Sequence, residues 1–168
     1  MLPDPAPLRL PVRPNLDQLL QEDIALYEGR HDDLIFQAPA LYRLLTRLLD
    51  DPALPGRLRP LVLAAVAYFI LPADVIPEDI EGPYGYIDDL YLCGLVAEET
   101  RRATGSDELL LTNWDGEAPL LPLLAELLGA SDLLTSEQRE RILRYVGFEC
   151  LVHLPSRDIT EDRRLVPT

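Results

Sequence analysis

Leu61 to Leu71 is an unbroken run of eleven apolar residues, and what that run can become limits the fold more than any other stretch. A membrane-spanning helix needs about 20 such residues, so the run predicts a buried core helix from about Leu58 to Leu71. It is apolar on nearly every side, and helices of that kind belong in the middle of a bundle. Leu and Ala dominate around it and β-branched residues are few, which favours helix over sheet. At 168 residues the chain is long enough to bury a core without metal or disulfide staples. The expected fold class is all-α: a single-domain compact helical bundle of about six helices with a central apolar helical hairpin.

The boundaries follow from local stop and start signals. Residues 1–14 carry five prolines and are expected to form a proline-rich N-terminal arm without regular helix. Asn15 is placed to cap a first helix carrying Leu16, Leu19, Leu20, Ile24 and Tyr27, with Gly29 as its stop. Asp32 or Asp33 is expected to cap the next stretch, which Pro39 divides into a short turn and a helix to about Leu49. The second helix of the hairpin runs from about Asp88 to Thr104, closed by Arg101, Arg102 and Gly105. Glu98 and Arg102 stand four apart in the favourable order.

Residues 106–116, with the single tryptophan Trp114, read as a loop or short helix. Pro119 to Leu128 is a fifth helix ended by Gly129. Thr135 and Gln138 form a capping box before a last helix reaching about Val152. The domain is expected to span 15–154, followed by a polar tail over 155–168.

The formal charge is −14, and all 15 basic residues are arginine. Such a surface repels phosphate backbones, so nucleic acid is not an expected partner. The balance permits a protein partner with a basic surface, self-association or a bound cation, and disfavours anionic lipid. Cys93 and Cys150 fall in amphipathic helices and are expected as free buried thiols, which suits a cytoplasmic location.

Charge is distributed unevenly. No basic residue lies between Arg59 and Arg101, whereas Asp74, Glu78, Asp79, Glu81, Asp88 and Asp89 lie in or beside one Pro- and Gly-bearing loop. A helical hairpin would gather these six carboxylates at one end of the bundle. Like charge at that density must be solvated, held at helix starts or neutralised by a cation.

Within this stretch Tyr68, Pro72, Asp74, Ile76 and Pro77 form one element, and Gly85, Tyr86, Asp88, Asp89 and Leu90 a second. The two in order resemble the signature of the YkvA-like family (domain of unknown function 1232), over roughly residues 58–97. The loop before Gly85, Glu81-Gly82-Pro83-Tyr84, is more acidic than that family's pattern. The resemblance implies a helical fold and candidate positions, but no activity.

Two chemistries compete for the acids. Asp74, Glu78, Asp79, Asp88 and Asp89 are candidate oxygen ligands for a hard cation, Ca²⁺ or Mg²⁺. Against this, Asp74 reads as a turn cap and Asp88 or Asp89 as the cap of the second hairpin helix, and capping is the favoured reading. Pro72, Pro77, Gly82, Pro83 and Gly85 shape the loop, with a positive φ expected at Gly85. Tyr86 is expected to pack inward with its hydroxyl on a neighbouring carboxylate. His31-Asp32-Asp33 lacks the further histidines of a metal phosphohydrolase, and the scattered Cys and His lack zinc-site spacing. Walker A, dinucleotide-binding and nucleophile-elbow patterns are missing from the sequence. The reading is therefore a non-enzymatic helical module working through protein–protein interaction. The alternatives are a hard-cation protein, structural or hydrolytic, and, more weakly, a membrane-associated accessory protein.

Overall fold

A computed structural model describes residues 15–70, 82–129 and 132–147. Every regular element among these residues is helical. In chain order they are α1 (Leu16–Ile24), α2 (Asp32–Ile35), α3 (Ala38–Asp50), α4 (Arg59–Tyr68), α5 (Ile87–Thr104), α6 (Glu108–Asn113), α7 (Leu120–Gly129) and α8 (Ser136–Tyr145). Short 3₁₀ turns over Gly56–Leu58 and Gly82–Tyr86 precede α4 and α5. The all-α bundle expected from the sequence is present.

Local chemistry explains most of the starts. The Asn15 side chain accepts the Asp17 N–H at 3.2 Å, and Thr135 and Gln138 close a reciprocal capping box on α8. Pro39 occupies the first turn of α3, where a missing N–H costs nothing, and separates it from α2. Gly105 ends α5 in the left-handed region, φ 70°.

Several expectations are corrected. α1 stops at Ile24, short of Gly29. Beyond it Tyr27 folds back over Gly29, where an added Cβ would meet the phenol oxygen at 2.5 Å, and its hydroxyl donates to the Arg30 carbonyl. α2 begins from His31, a left-handed residue with φ 56° and no side-chain cap. Asp32 and Asp33 sit in the first turn instead, where Asp32 accepts the Asp33 N–H. Glu98 pairs with Arg101 rather than Arg102, and Arg102 takes Glu99. The capture of Arg101 by Asp107, just past the end of α5, draws its guanidinium to that side. The arm 1–14, the tail 155–168, the end of α8 toward Val152, and Cys150 lie outside the described residues.

The hairpin also divides its burial differently from the hydropathy pattern. α3 and α5 are the elements that touch most neighbours: α3 packs on α1, α4, α5 and α6, and α5 on α2, α3, α4, α6, α7 and α8. α5 is buried from Ile87 through Gly94 without a break, then at Val96, Ala97 and Thr100. Gly94 lets α7 approach closely, since a Cβ there would meet Leu128 at 3.2 Å. α4, although free of internal charge, lies at the side of the bundle. It buries Val62, Ala65 and Tyr68 but leaves Leu63 58% and Ile70, just past its end, 63% exposed. Hydropathy counts apolar groups, whereas centrality depends on how many elements surround a helix.

Candidate functional site

Tyr68 of the first signature element and Asp88 of the second meet where α4 ends and α5 begins. Tyr68, the last residue of α4, is fully buried, and its hydroxyl donates to Asp88 Oδ2 at 2.8 Å. Asp88 stands in the first turn of α5, and its Oδ1 accepts the Asp89 N–H at 3.1 Å. Asp88 is 0% and Asp89 1% exposed. One hydrogen bond thus ties together the two ends of the chain interval that contains residues 71–81.

The cap position itself belongs to Tyr86, with no side-chain cap bond. This corrects the expectation that Asp88 or Asp89 caps the helix. The 3₁₀ turn over Gly82–Tyr86 starts the helical path early, so both acids become first-turn residues near the positive end of the dipole. The positive φ falls at Gly82, 61°, not at Gly85, which lies inside that turn.

Tyr86 behaves as expected: it is buried and its hydroxyl donates to a carboxylate, Asp23 of α1, at 2.6 Å. Tyr84 is half-buried beneath the Arg30 guanidinium, 5.5 Å from the ring centroid. Tyr91 is buried with Arg139 of α8 over its ring at 5.4 Å. Burial raises the Tyr91 hydroxyl above its ordinary range, and Arg139 partly opposes the shift. One turn beyond Asp89, Cys93 is a free, buried thiol. Burial pushes its pKa well up, and the Asp89 charge adds to the effect. A thiol in that state is a poor nucleophile.

Of the proposed cation ligands, Asp74, Glu78 and Asp79 lie outside the described residues, as do Pro72 and Pro77. Asp88 and Asp89 are brought together, but among the described residues no group of three or more His, Cys, Asp or Glu side chains is placed to hold a metal ion. The gathering of six carboxylates is described for these two alone. They are enclosed in the core rather than displayed to solvent. His31 is half-buried at the start of α2 and lies 3.4 Å from Asp132.

A second polar cluster was missed by sequence reading. Arg43 of α3 bonds Asp17 at 2.7 Å and Asp115 at 3.0 Å, and Arg47, one turn on, reaches Asp115 at 2.7 Å. Asn113 donates to Asp51 at 2.8 Å. The Arg43 hydrogen bond holds the Asp115 carboxyl below the ordinary range. The signal available was the Arg43/Arg47 spacing, which puts two guanidinium groups on one face of α3; their partners lie 26 and 72 residues away. Trp114, next to Asp115, is half-buried against the core, with its indole N–H on the Ala118 carbonyl at 2.9 Å.

Residues 59–95 match a protein-family model described as protein of unknown function (DUF1232). The central segment is similar to the DUF1232 family. It comprises all of α4, residues 69–86 and the buried half of α5, so the Tyr68–Asp88 bond is internal to the segment. Likeness to a relative extends further. The uncharacterized protein ORF9 of Methanothermobacter thermautotrophicus is 29% identical over 137 residues, covering 82% of this chain and 93% of that protein. No solved structure matches the chain. Among the described residues, no helix is long and apolar enough to cross a membrane.

Proposed function

We propose that the protein is a non-enzymatic helical module that acts through protein–protein contact, with the DUF1232 segment as its scaffold and the outward side of α4 as its contact surface. The observation that carries this reading is the inversion of polarity across the segment. Its described acids, Asp88 and Asp89, are closed inside the core, while Leu63 and Ile70 stand out at the surface. An enclosed carboxylate whose oxygens already accept from Tyr68 and from the backbone is poorly placed to meet a substrate. An exposed apolar strip on a chain of formal charge −14 is a feature of contact surfaces. The net charge suits a partner with a basic rim around an apolar centre.

The test is affinity capture with the full chain against a Leu63→Glu/Ile70→Glu variant of unchanged helicity. A partner retained by the wild type at low salt and lost from the variant supports the reading; identical recoveries from both refute it.

A hard-cation role for the Asp88–Asp89 pair is the second reading, favoured by the juxtaposition of two carboxylates at one buried helix start. Saturable thermal stabilisation of chelator-treated protein by millimolar Ca²⁺, Mg²⁺ or Mn²⁺, absent from Asp88→Asn/Asp89→Asn, would support it.

A further inference from the structure

An open groove of about 420 Å³ lies where the α6–α7 connection folds over the core. Its wall is apolar: Leu111, Trp114, Pro119, Leu121 and Pro122, with Glu117 beside them. Leu111 is 49% exposed although it lies at the groove. The Trp114 ring lies against Gly116, where an added Cβ would come within 2.1 Å of the indole. With its N–H held by the Ala118 carbonyl, the indole is fixed in orientation and offers surface rather than a donor. A rigid aromatic flanked by prolines is the kind of surface on which extended, proline-rich segments dock, because such segments lose little entropy on binding.

The position of α1 supplies a source for such a segment. Its first turn is held by the Asp17–Arg43 pair, and Arg43 in turn holds Asp115, the residue next to Trp114. The chain preceding Asn15 therefore joins the fold through the ion-pair cluster that flanks the groove. That stretch, residues 1–14, holds Pro3, Pro5, Pro7, Pro11 and Pro14. In extended form it spans about 40 Å at about 3.1 Å per residue, ample for a groove anchored to its own attachment point. Leu8, Leu10 and Val12 supply apolar side chains between Arg9 and Arg13 and beside Pro11. Its two arginines against one aspartate make it one of the few basic stretches of an acidic chain, opposite in sign to Glu117 on the groove.

We infer that the Trp114 groove is a docking site for the chain's own residues 1–14, laid across it as an extended proline-rich strap with Leu8, Leu10 and Val12 against the indole, Pro119 and Pro122. This contact is separate from the α4 surface, so either proposal can fail alone.

Trp114 is the chain's single tryptophan, and its fluorescence reports the groove directly. The experiment compares acrylamide quenching of the full chain with that of two full-length variants, Leu8→Ser/Leu10→Ser/Val12→Ser and Arg9→Glu/Arg13→Glu, each checked for unchanged helicity by circular dichroism. A docked strap covers most of the exposed indole, so the first variant is expected to raise the quenching constant roughly threefold and the second less. A synthetic peptide of residues 1–14, added to the first variant, is expected to restore the wild-type value saturably. Equal quenching of all three chains would overturn the inference. Protection that rises with protein concentration would also overturn it, assigning the groove to a second copy.

Discussion

The acids of this protein are accommodated in two opposite ways. At the α4–α5 junction, Asp88 is buried and bound by a phenol hydroxyl and a backbone N–H, within a stretch of sequence that has no arginine. Across α3, Asp17 and Asp115 are partly exposed and bound by the guanidinium groups of Arg43 and Arg47. The first arrangement removes carboxylates from water and relies on fixed neighbours, so losing one neighbour leaves a group with no solvent to replace it. The second keeps water nearby, and solvent and salt screen it. Similar pairings at the level of a contact map therefore carry unequal weight.

That inequality can be broken experimentally. The largest effect is expected from Tyr68→Ala, which deletes a fully buried ring as well as the hydroxyl; denaturant unfolding should show a loss of about 3–5 kcal/mol. Tyr68→Phe isolates the hydroxyl and should cost about 1–3 kcal/mol, with little dependence on salt because the site is enclosed. Arg43→Met, which removes the bonds to both Asp17 and Asp115, should cost no more than about 1 kcal/mol after allowance for screening, and the loss should shrink further in molar salt. A Tyr68→Phe penalty that faded with salt, or an Arg43→Met penalty that did not, would reverse the assignment.

The smallest expected effect is a pH dependence. Asp115 titrates below its reference value of 3.8 in the folded state, chiefly through its hydrogen bond from Arg43. A depressed folded pKa contributes stability above the unfolded pKa, and that contribution disappears as pH falls through the folded value. The wild-type chain should therefore lose this increment on acidification below about pH 4. Arg43→Met should show a shallower loss over that window when melting temperatures are compared across the acid range.

What could be read in the sequence was what depends on neighbours along the chain. Asn15, the Thr135–Gln138 box and Gly105 act within a few residues of themselves, and the structure uses all three as expected. The inward turn of Tyr86 was also legible, since a tyrosine beside apolar helices buries its ring and keeps its hydroxyl bonded. Its partner, Asp23, lies 63 residues away, and no spacing rule connects the two. Asp88 and Asp89 resembled caps because the 3₁₀ turn that leaves them two and three positions inside the cap has no strong sequence mark. The apolar run of α4 resembled a central helix because hydropathy cannot show which sides of a helix find neighbours. The signature residues were recognisable at once, whereas the enclosure of Tyr68, Asp88 and Asp89 depended on the packing of α3, α4 and α7 around α5.

The central claim is that the signature acid Asp88 works as an internal tie between α4 and α5 rather than as an exposed reactive group. A double-mutant cycle measures this most directly, with Tyr68→Phe, Asp88→Asn and the double variant unfolded in denaturant under identical conditions. The account predicts that the two changes are strongly non-additive, with a coupling of about 1–3 kcal/mol, because each removes the same buried bond. Additivity to within about 0.3–0.5 kcal/mol would contradict it and return Asp88 to the candidates for a ligand-binding site.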